Sequence, residues 1–329
     1  MIKLTVAACR WYVLSALFCS GLLWAQTYPS RPIRIVVFAS VGTTTDLFAR
    51  PIGQKLNERL GWTVIFDNRP GGNFTIGARA VTNSPADGYS LLYGGASLAI
   101  FHAVEQYKGT PQNADFMNEL AFLARTADVG FAVIANPAFP PNTVLELMNY
   151  AKANPGKVQY ATGGSTSTTK MLFEYLRQSA GNPGMTEIPY KEASAFMPDL
   201  VAGQVPVGVN AITGILPFVA NGRVKVLGVV ATKRSPLMPN VPTVGETGMP
   251  DFDGNAWFGL FIKAGTPPEI VARLNKEIVA VHQLPEIREQ FLKLGGVATG
   301  STPQEFKQRY EDDMRRWTQV MKAANMKFE

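Results

Sequence analysis

The sequence predicts an α/β fold of two lobes that face each other across a cleft. Three observations predict it. Strand-like and helix-like runs alternate from Arg34 onward, the pattern of parallel βαβ units rather than of a sandwich. An apolar, β-branched run over 33–38 breaks into small and hydroxyl residues before a helical pattern begins. The same arrangement returns in the second half, where a strand over 157–161 leads through hydroxyl residues into a helix over 170–179.

At 329 residues the chain is long enough for two domains with sizeable cores. An apolar content of 46% against 17% charged residues marks an ordered protein. The formal charge of +6 falls to +4 without residues 1–25, because Lys3 and Arg10 leave with them. The remaining basic residues form no tract, so nothing argues for a nucleic-acid partner.

Residues 1–25 read as a cleavable export signal. Lys3 and Arg10 give a positive start, 11–23 an apolar core, and Leu23-Trp24-Ala25 a cleavage site. The alternative is an uncleaved anchor, but the apolar run is short and Tyr28-Pro29-Ser30-Arg31-Pro32 follows at once. Phe18 before Cys19 is too bulky for lipoprotein processing. Cys9 and Cys19 both lie in this segment, so the mature chain is expected to hold no thiol, disulfide or cysteine-bound metal.

Along the chain, strands are expected at 33–38, 63–66, 90–93, 131–135, 157–161, 205–210, 224–231 and 257–262. Three helices begin with capping boxes: Thr143…Glu146, Thr266…Glu269 and Thr302…Glu305. In the last, Phe306, Tyr310, Met314, Trp317 and Met321 fall on one face and predict core packing. Pro51 sits inside the helix expected over 45–60, which therefore either kinks there or starts late.

The loops carry the chemistry. After the first strand, backbone N–H groups face the carboxyl end of the sheet, where α/β folds bind ligands. Thr44 or Thr45 can cap the next helix, whose dipole favours an anion such as a carboxylate. The glycines at 71, 72 and 77 allow positive φ and close approach of a ligand. Phe74 among them is either a buried anchor or an apolar wall. The G-x-G-x-x-G order of a dinucleotide loop is missing. Thr162, Ser165, Thr166, Ser167, Thr168 and Thr169 are more hydroxyls than one helix start needs, so some are expected to point into a cavity. A phosphate loop fails, because Lys170 follows Thr169 and not a glycine.

Catalysis finds little support. His102 follows an apolar run without ligand-spaced partners, and His282 lies in an amphipathic helix. No G-x-S-x-G elbow occurs. Asp67 reads as a solvated strand end, and Asp46 as a turn cap or an orienter of a ligand donor. No metal or cofactor is expected.

Taken in order, several stretches resemble the periplasmic solute receptors of tripartite tricarboxylate transporters, the Bug receptors. Tyr28-Pro29-Ser30-Arg31-Pro32-Ile33-Arg34 fits their opening, and 38–46 stands where they read P-F-P-P-G-G-x-T-D. Asn68-Arg69-Pro70-Gly71, Pro85-Ala86-Asp87-Gly88-Tyr89 and Ala153-Asn154-Pro155-Gly156-Lys157 are further landmarks. So are Pro189-Tyr190-Lys191, Gly203-Gln204-Val205, Pro239-Asn240-Val241-Pro242-Thr243 and Ala264-Gly265-Thr266-Pro267.

The resemblance implies a type II periplasmic-binding-protein fold with mostly parallel sheets. Residues 26–127 with 248–329 would form one lobe and 128–247 the other. It implies a monomeric receptor that closes on a small carboxylate and passes it to a membrane permease. The ligand would meet Ala39, Ser40, Val41, Gly42, Thr43, Thr44 and Asp46 in the first loop, Phe74 and Thr75 in the second, and Ser97 after the third strand. The other lobe would offer Ser165, Thr166, Ser167, Thr168 and Lys170, with Tyr190, Asn210 and Ala211 beside them.

The chain departs from the family pattern at Ser40, Val41, Thr43, Phe74, Thr166, Lys170, Glu192 and Asn210. Asn210 for an acid and Lys170 for a histidine would favour a more anionic ligand, and Phe74 an aromatic one over citrate or an amino acid. Two other readings stand beside transport: a receptor reporting to a membrane sensor, and a secreted enzyme using Asp46, Lys170 and Glu192.

Overall fold

Strand β1 (Ile33–Val37) is buried along almost its whole length, as a β-branched run covered on both faces must be. It leads into α1 (Thr44–Leu60), β2 (Val64–Asn68), α2 (Thr75–Thr82), β3 (Ser90–Gly95), α3 (Ser97–Lys108) and β4 (Leu120–Val129). Gly130 then separates β4 from β5 (Phe131–Ala135), which belongs to a second sheet. That sheet continues with α4 (Val144–Ala153), β6 (Val158–Thr162), α5 (Thr168–Ser179), β7 (Met185–Pro189), α6 (Met197–Val201), β8 (Val207–Ala211), α7 (Ile212–Ala220) and β9 (Lys225–Val229). The chain returns through 230–255 to β10 (Ala256–Lys263), α8 (Pro268–His282), α9 (Pro285–Lys293), β11 (Gly296–Ala298) and α10 (Pro303–Ala323). The computed structural model describes residues 28–164, 167–191, 195–250 and 252–328. The predicted export segment with Cys9 and Cys19, and the loop residues Ser165, Thr166 and Glu192, lie outside the described residues.

The strand orders are β11-β4-β10-β3-β1-β2 and β7-β6-β8-β5-β9. Each sheet with its helices makes one lobe of the expected α/β fold. The pairing is mixed rather than mostly parallel. Strand β1 runs parallel to β2 and β3, and β6 to β7 and β8, whereas β10, β11 and β5 run against their neighbours. The two crossings explain this for β5 and β10. A chain that leaves one sheet toward the other lobe enters the second sheet from the cleft side, and so runs opposite to the strands that end there. β10 re-enters the first sheet in the same way.

Helix α1 runs unbroken through Pro51. Neither Thr44 nor Thr45 caps it. Thr43 is the N-cap residue, its hydroxyl donates to the Ser40 carbonyl instead, and Asp46 in the first turn accepts the Gly42 N–H. The Thr302–Glu305 box is complete. At α4 the Thr143 hydroxyl caps, but the Glu146 carboxylate accepts from Asn142 N–H and not from Thr143. Thr266 caps nothing: α8 starts at Pro268 with Pro267 as its N-cap, and the Thr266 hydroxyl donates back to Lys263. The helix dipole is thus served there by Glu269 in the first turn, not by a box.

One apolar cluster continues across both lobes on the side of α10, from Val36 and Phe116 through Trp257 and Trp317 to Tyr160 and Phe173. The predicted stripe on α10 supplies its middle, with Phe306, Tyr310, Trp317 and Met321 buried. Phe252, in the returning crossing, stacks on Tyr175 of the second lobe at 3.7 Å and lies edge-on to Trp317. A buried charge cluster holds the same crossing. Arg309 reaches Asp253 at 2.6 Å and the Asn255 carbonyl at 2.8 Å, and Asp313 receives Trp257 Nε1 at 2.7 Å and Arg316 at 2.6 Å. Burial pushes the Asp313 carboxyl up, against the pull of the two arginines.

Candidate functional site

The ends of β1 and β2 lie side by side, because Val37 and Asn68 are register partners. Asn68 uses that position to bind the first two loops together. Its Nδ2 donates to the Ala39 carbonyl at 2.9 Å and to Asp46 Oδ1 at 3.0 Å. Asp46 is 1% exposed and fully engaged: Arg50 meets both its oxygens at 2.8 and 2.9 Å, and Gly42 N–H donates at 2.9 Å. Burial raises the carboxyl's pKa, but the hydrogen bonds from Arg50, Gly42 and Asn68 outweigh it and hold it below the usual range. Asp46 is therefore an ionised brace for the loop, with its own oxygens already satisfied.

Above this brace, Ser40 and Val41 form the exposed loop tip, and Val41 is 69% exposed. The N–H groups of Thr44 and Thr45 belong to the first turn of α1, where a helix has no internal acceptors for them. Together they form the positive end of the helix dipole, in the same turn as Asp46, whose charge Arg50 matches.

The second loop is built from four successive residues at positive φ: Gly71 at 105°, Gly72 at 58°, Asn73 at 48° and Phe74 at 74°. Glycine adopts this conformation freely, but for Phe74 it is strained. Ring packing holds Phe74 there, at 4.7 Å from Phe38 and 6.2 Å from Phe101, while the ring stays half-buried. The packing fits the buried-anchor alternative of the sequence, with the ring partly exposed. Thr75 closes the loop by donating to the Gly72 carbonyl. Gly77 lets α2 approach, since a Cβ there would stand 3.1 Å from Arg69 O and from Phe38. Ser97 opens α3 and is half-buried.

On the second lobe, β6 and β8 are parallel neighbours, so Thr162 and the pair Asn210–Ala211 end at the same edge. Ser167 caps α5 by accepting Lys170 N–H at 3.2 Å, and Thr169 accepts Gly163 N–H at 3.0 Å. Thr168 is the first helical residue. The Tyr190 hydroxyl donates to Asp199 at 2.6 Å, and Asn210 Oδ1 accepts Ala211 N–H at 2.8 Å. Lys170 Nζ meets Glu187 Oε2 at 3.0 Å, and Thr162 donates to the other oxygen at 2.6 Å. The expected gain of positive charge from Lys170 is thereby matched by an acid on β7. Ala39 and Ala211, from the two lobes, both pack on the first lobe's apolar cluster.

Sequence reasoning left out Asn68, Arg50 and Glu187. Asn68 carried a signal, as the first residue of a recognised motif. Glu187 carried none, because β7 is a half-exposed edge strand without alternation. The histidines lie elsewhere. His282 is 1% exposed in the core. His102 bonds Tyr310 at 2.9 Å beside a groove of about 490 Å³, away from these loops. Asp67 pairs with Arg69 at 2.8 Å and Arg34 at 3.6 Å rather than standing free in solvent. Among the described residues no group of three His, Cys, Asp or Glu is placed to hold a metal, and no helix is long and apolar enough to cross a membrane.

Residues 48–326 match the family model described as the tripartite tricarboxylate transporter family receptor. A UPF0065 protein of Bordetella bronchiseptica is 33% identical over 92% of this chain and 88% of its own length. A structure described as R. palustris Rpa4515 with adipate superposes with a TM-score of 0.78 at 28% identity, over 91% of this chain and 98% of that one. The periplasmic binding protein BugD gives 0.74 at 28% identity, over 92% of this chain and all of its own.

Proposed function

Because the chain belongs to the tripartite tricarboxylate transporter receptor family, we propose that it captures a small carboxylate with an apolar body, an aromatic acid above all, and delivers it to a membrane permease of that transporter type. One observation carries this reading. The Asn68–Asp46 brace ties the first loop to the end of β2, from which the loop with Phe74 departs, so an anion held by the first loop would have an apolar ring nearby.

A carboxylate would suit the first turn of α1, where N–H groups and the dipole favour negative charge and Arg50 already matches the charge of Asp46. Phe74 and the exposed Val41 would meet the apolar body. The aromatic preference rests on Phe74, since Lys170 is paired with Glu187. The adipate of the Rpa4515 structure supports the carboxylate class by likeness. We place the first lobe on 26–127 with 248–329 and the second on 128–247, to within a few residues of the sheet crossings at Gly130 and 230–255. Closure would turn about those crossings once the ligand touches both lobes. Export by the segment 1–25 would set a monomeric receptor in the periplasm. A binding role without catalysis fits a site whose acid and lysine are already paired.

A thermal-shift screen of the mature protein against carboxylates tests this. Benzoate-type acids should raise the melting temperature by several degrees, since a ligand at a hundred times its Kd adds about 2.7 kcal/mol. An aliphatic hit alone would remove the aromatic preference. Silence from every acid would remove the carboxylate.

A further inference from the structure

The second lobe holds its charges in a way that narrows the ligand class. Resting on the carboxylate reading above, we infer that this receptor selects acids with a single carboxylate and an uncharged far end, and that Glu187 sets that selection. Lys170 lies in the first turn of α5, directly after the loop that the carboxylate reading brings to the ligand. Its side chain is 15% exposed and its Nζ lies 3.0 Å from Glu187. Glu187 is fixed from the other side by the hydroxyl of Thr162, a fully buried residue, at 2.6 Å. Both carboxylate oxygens therefore have a donor, and the lysine has an anion.

Two donors nearby, among the described residues, are occupied as well. The Ser167 hydroxyl bonds the Gly164 carbonyl at 2.8 Å, and the Tyr190 hydroxyl bonds Asp199 at 2.6 Å. A second ligand carboxylate could take only a remaining N–H of a lysine whose charge is already matched, and would then stand beside the charge of Glu187. Like charges at that range disfavour each other, and discrimination of this kind needs only one repulsive element. A methyl, ring edge, hydroxyl or amide meets no such penalty.

Matched acids decide it: benzoate against phthalate and hexanoate against adipate, titrated calorimetrically into the mature wild type and Glu187→Gln. In the wild type each mono-acid should bind at least roughly tenfold more tightly than its di-acid. In Glu187→Gln, Lys170 is released, and the di-acids should gain roughly tenfold relative to the mono-acids, the scale of one charge-assisted hydrogen bond. A purely structural Glu187 would lower stability without moving that ratio, which overturns the inference. A wild type that prefers phthalate or adipate overturns it alone, whether or not the variant folds, and leaves the carboxylate reading standing. Failure of all four acids overturns both.

Discussion

Asp46 Oδ1 and Asn68 Nδ2 lie 3.0 Å apart, and that contact joins the loop after the first strand to the loop after the second. Asp46 lies in the first turn of α1 and Asn68 ends β2, so the contact ties the start of a helix to the end of a strand across the two loops. One amide therefore bridges the Ala39 carbonyl and a buried carboxylate, and the shape of the proposed anion site would depend on it.

Asn68→Ala should cost about 1–2 kcal/mol in urea unfolding, since the bonds to Ala39 and Asp46 and a long one from Arg50 are lost. Affinity for any acid bound by the wild type should fall roughly tenfold, because the loops are no longer held in the bound geometry. Asn68→Asp should be worse on both counts, as it sets a second carboxylate against Asp46. Equal behaviour of the two variants would show that the amide does not act as this bridge.

Phe74 carries two opposed terms. Its φ of 74° is strained for a phenylalanine, while its ring packs on Phe38 and Phe101. Phe74→Ala loses the packing and keeps the strain, whereas Phe74→Gly loses both. The glycine variant should thus be more stable than the alanine variant by about 1 kcal/mol in chemical denaturation. Both should lose affinity for benzoate-type acids more than for aliphatic ones.

How much of this was legible follows from what each signal depends on. The stripe from Phe306 to Met321 and the Thr302 cap depend on local spacing, and both stand in the structure. The loop after β1 was visible as a break in an apolar run. Its cap was not, because three successive threonines look alike until the backbone selects which one faces the helix. Strand β4 was hidden by Arg125 and Asp128 inside it, which read as solvent-facing but pair with each other at 2.8 Å near the crossing to the second lobe. Glu187 was hidden more completely. Its importance comes from Lys170 and Thr162, which are distant in sequence, and only the parallel pairing of β6 with β7 brings them together.

The charge cluster on α10 makes a stability prediction. Asp313 is 2% exposed and sits between Arg309, Arg316 and Trp257. Asp313→Asn keeps the size but leaves two largely buried guanidinium groups with less counter-charge, so it should cost about 3 kcal/mol. Denaturant melts with an unchanged m-value would read this directly. A cost below about 1 kcal/mol would mean that Asp253 alone balances the arginines.

His282 predicts a pH dependence. Its ring is enclosed beside Phe291, with Nδ1 2.6 Å from the Ile278 carbonyl and Nε2 without a partner. Nδ1–H donates to that carbonyl, so Nε2 would have to take up any added proton in an apolar enclosure. Burial lowers the pKa from 6.5 to about 4, against a smaller upward pull from the Ile278 bond. The folded pKa is depressed, so the unfolded chain binds the proton first as the medium turns acid. This contribution to stability is complete above pH 6.5, is lost as pH falls from there toward about 4, and changes no further below it. The full loss is about 3 kcal/mol at most. His282→Leu removes the titrating group while keeping an apolar side chain in the enclosure. Between pH 6.5 and 4 the variant should lose less stability than the wild type, by up to that amount, and at pH 7 the two should differ by about 1 kcal/mol or less. Parallel stability curves for the two proteins across this interval would show that His282 titrates normally in the folded state.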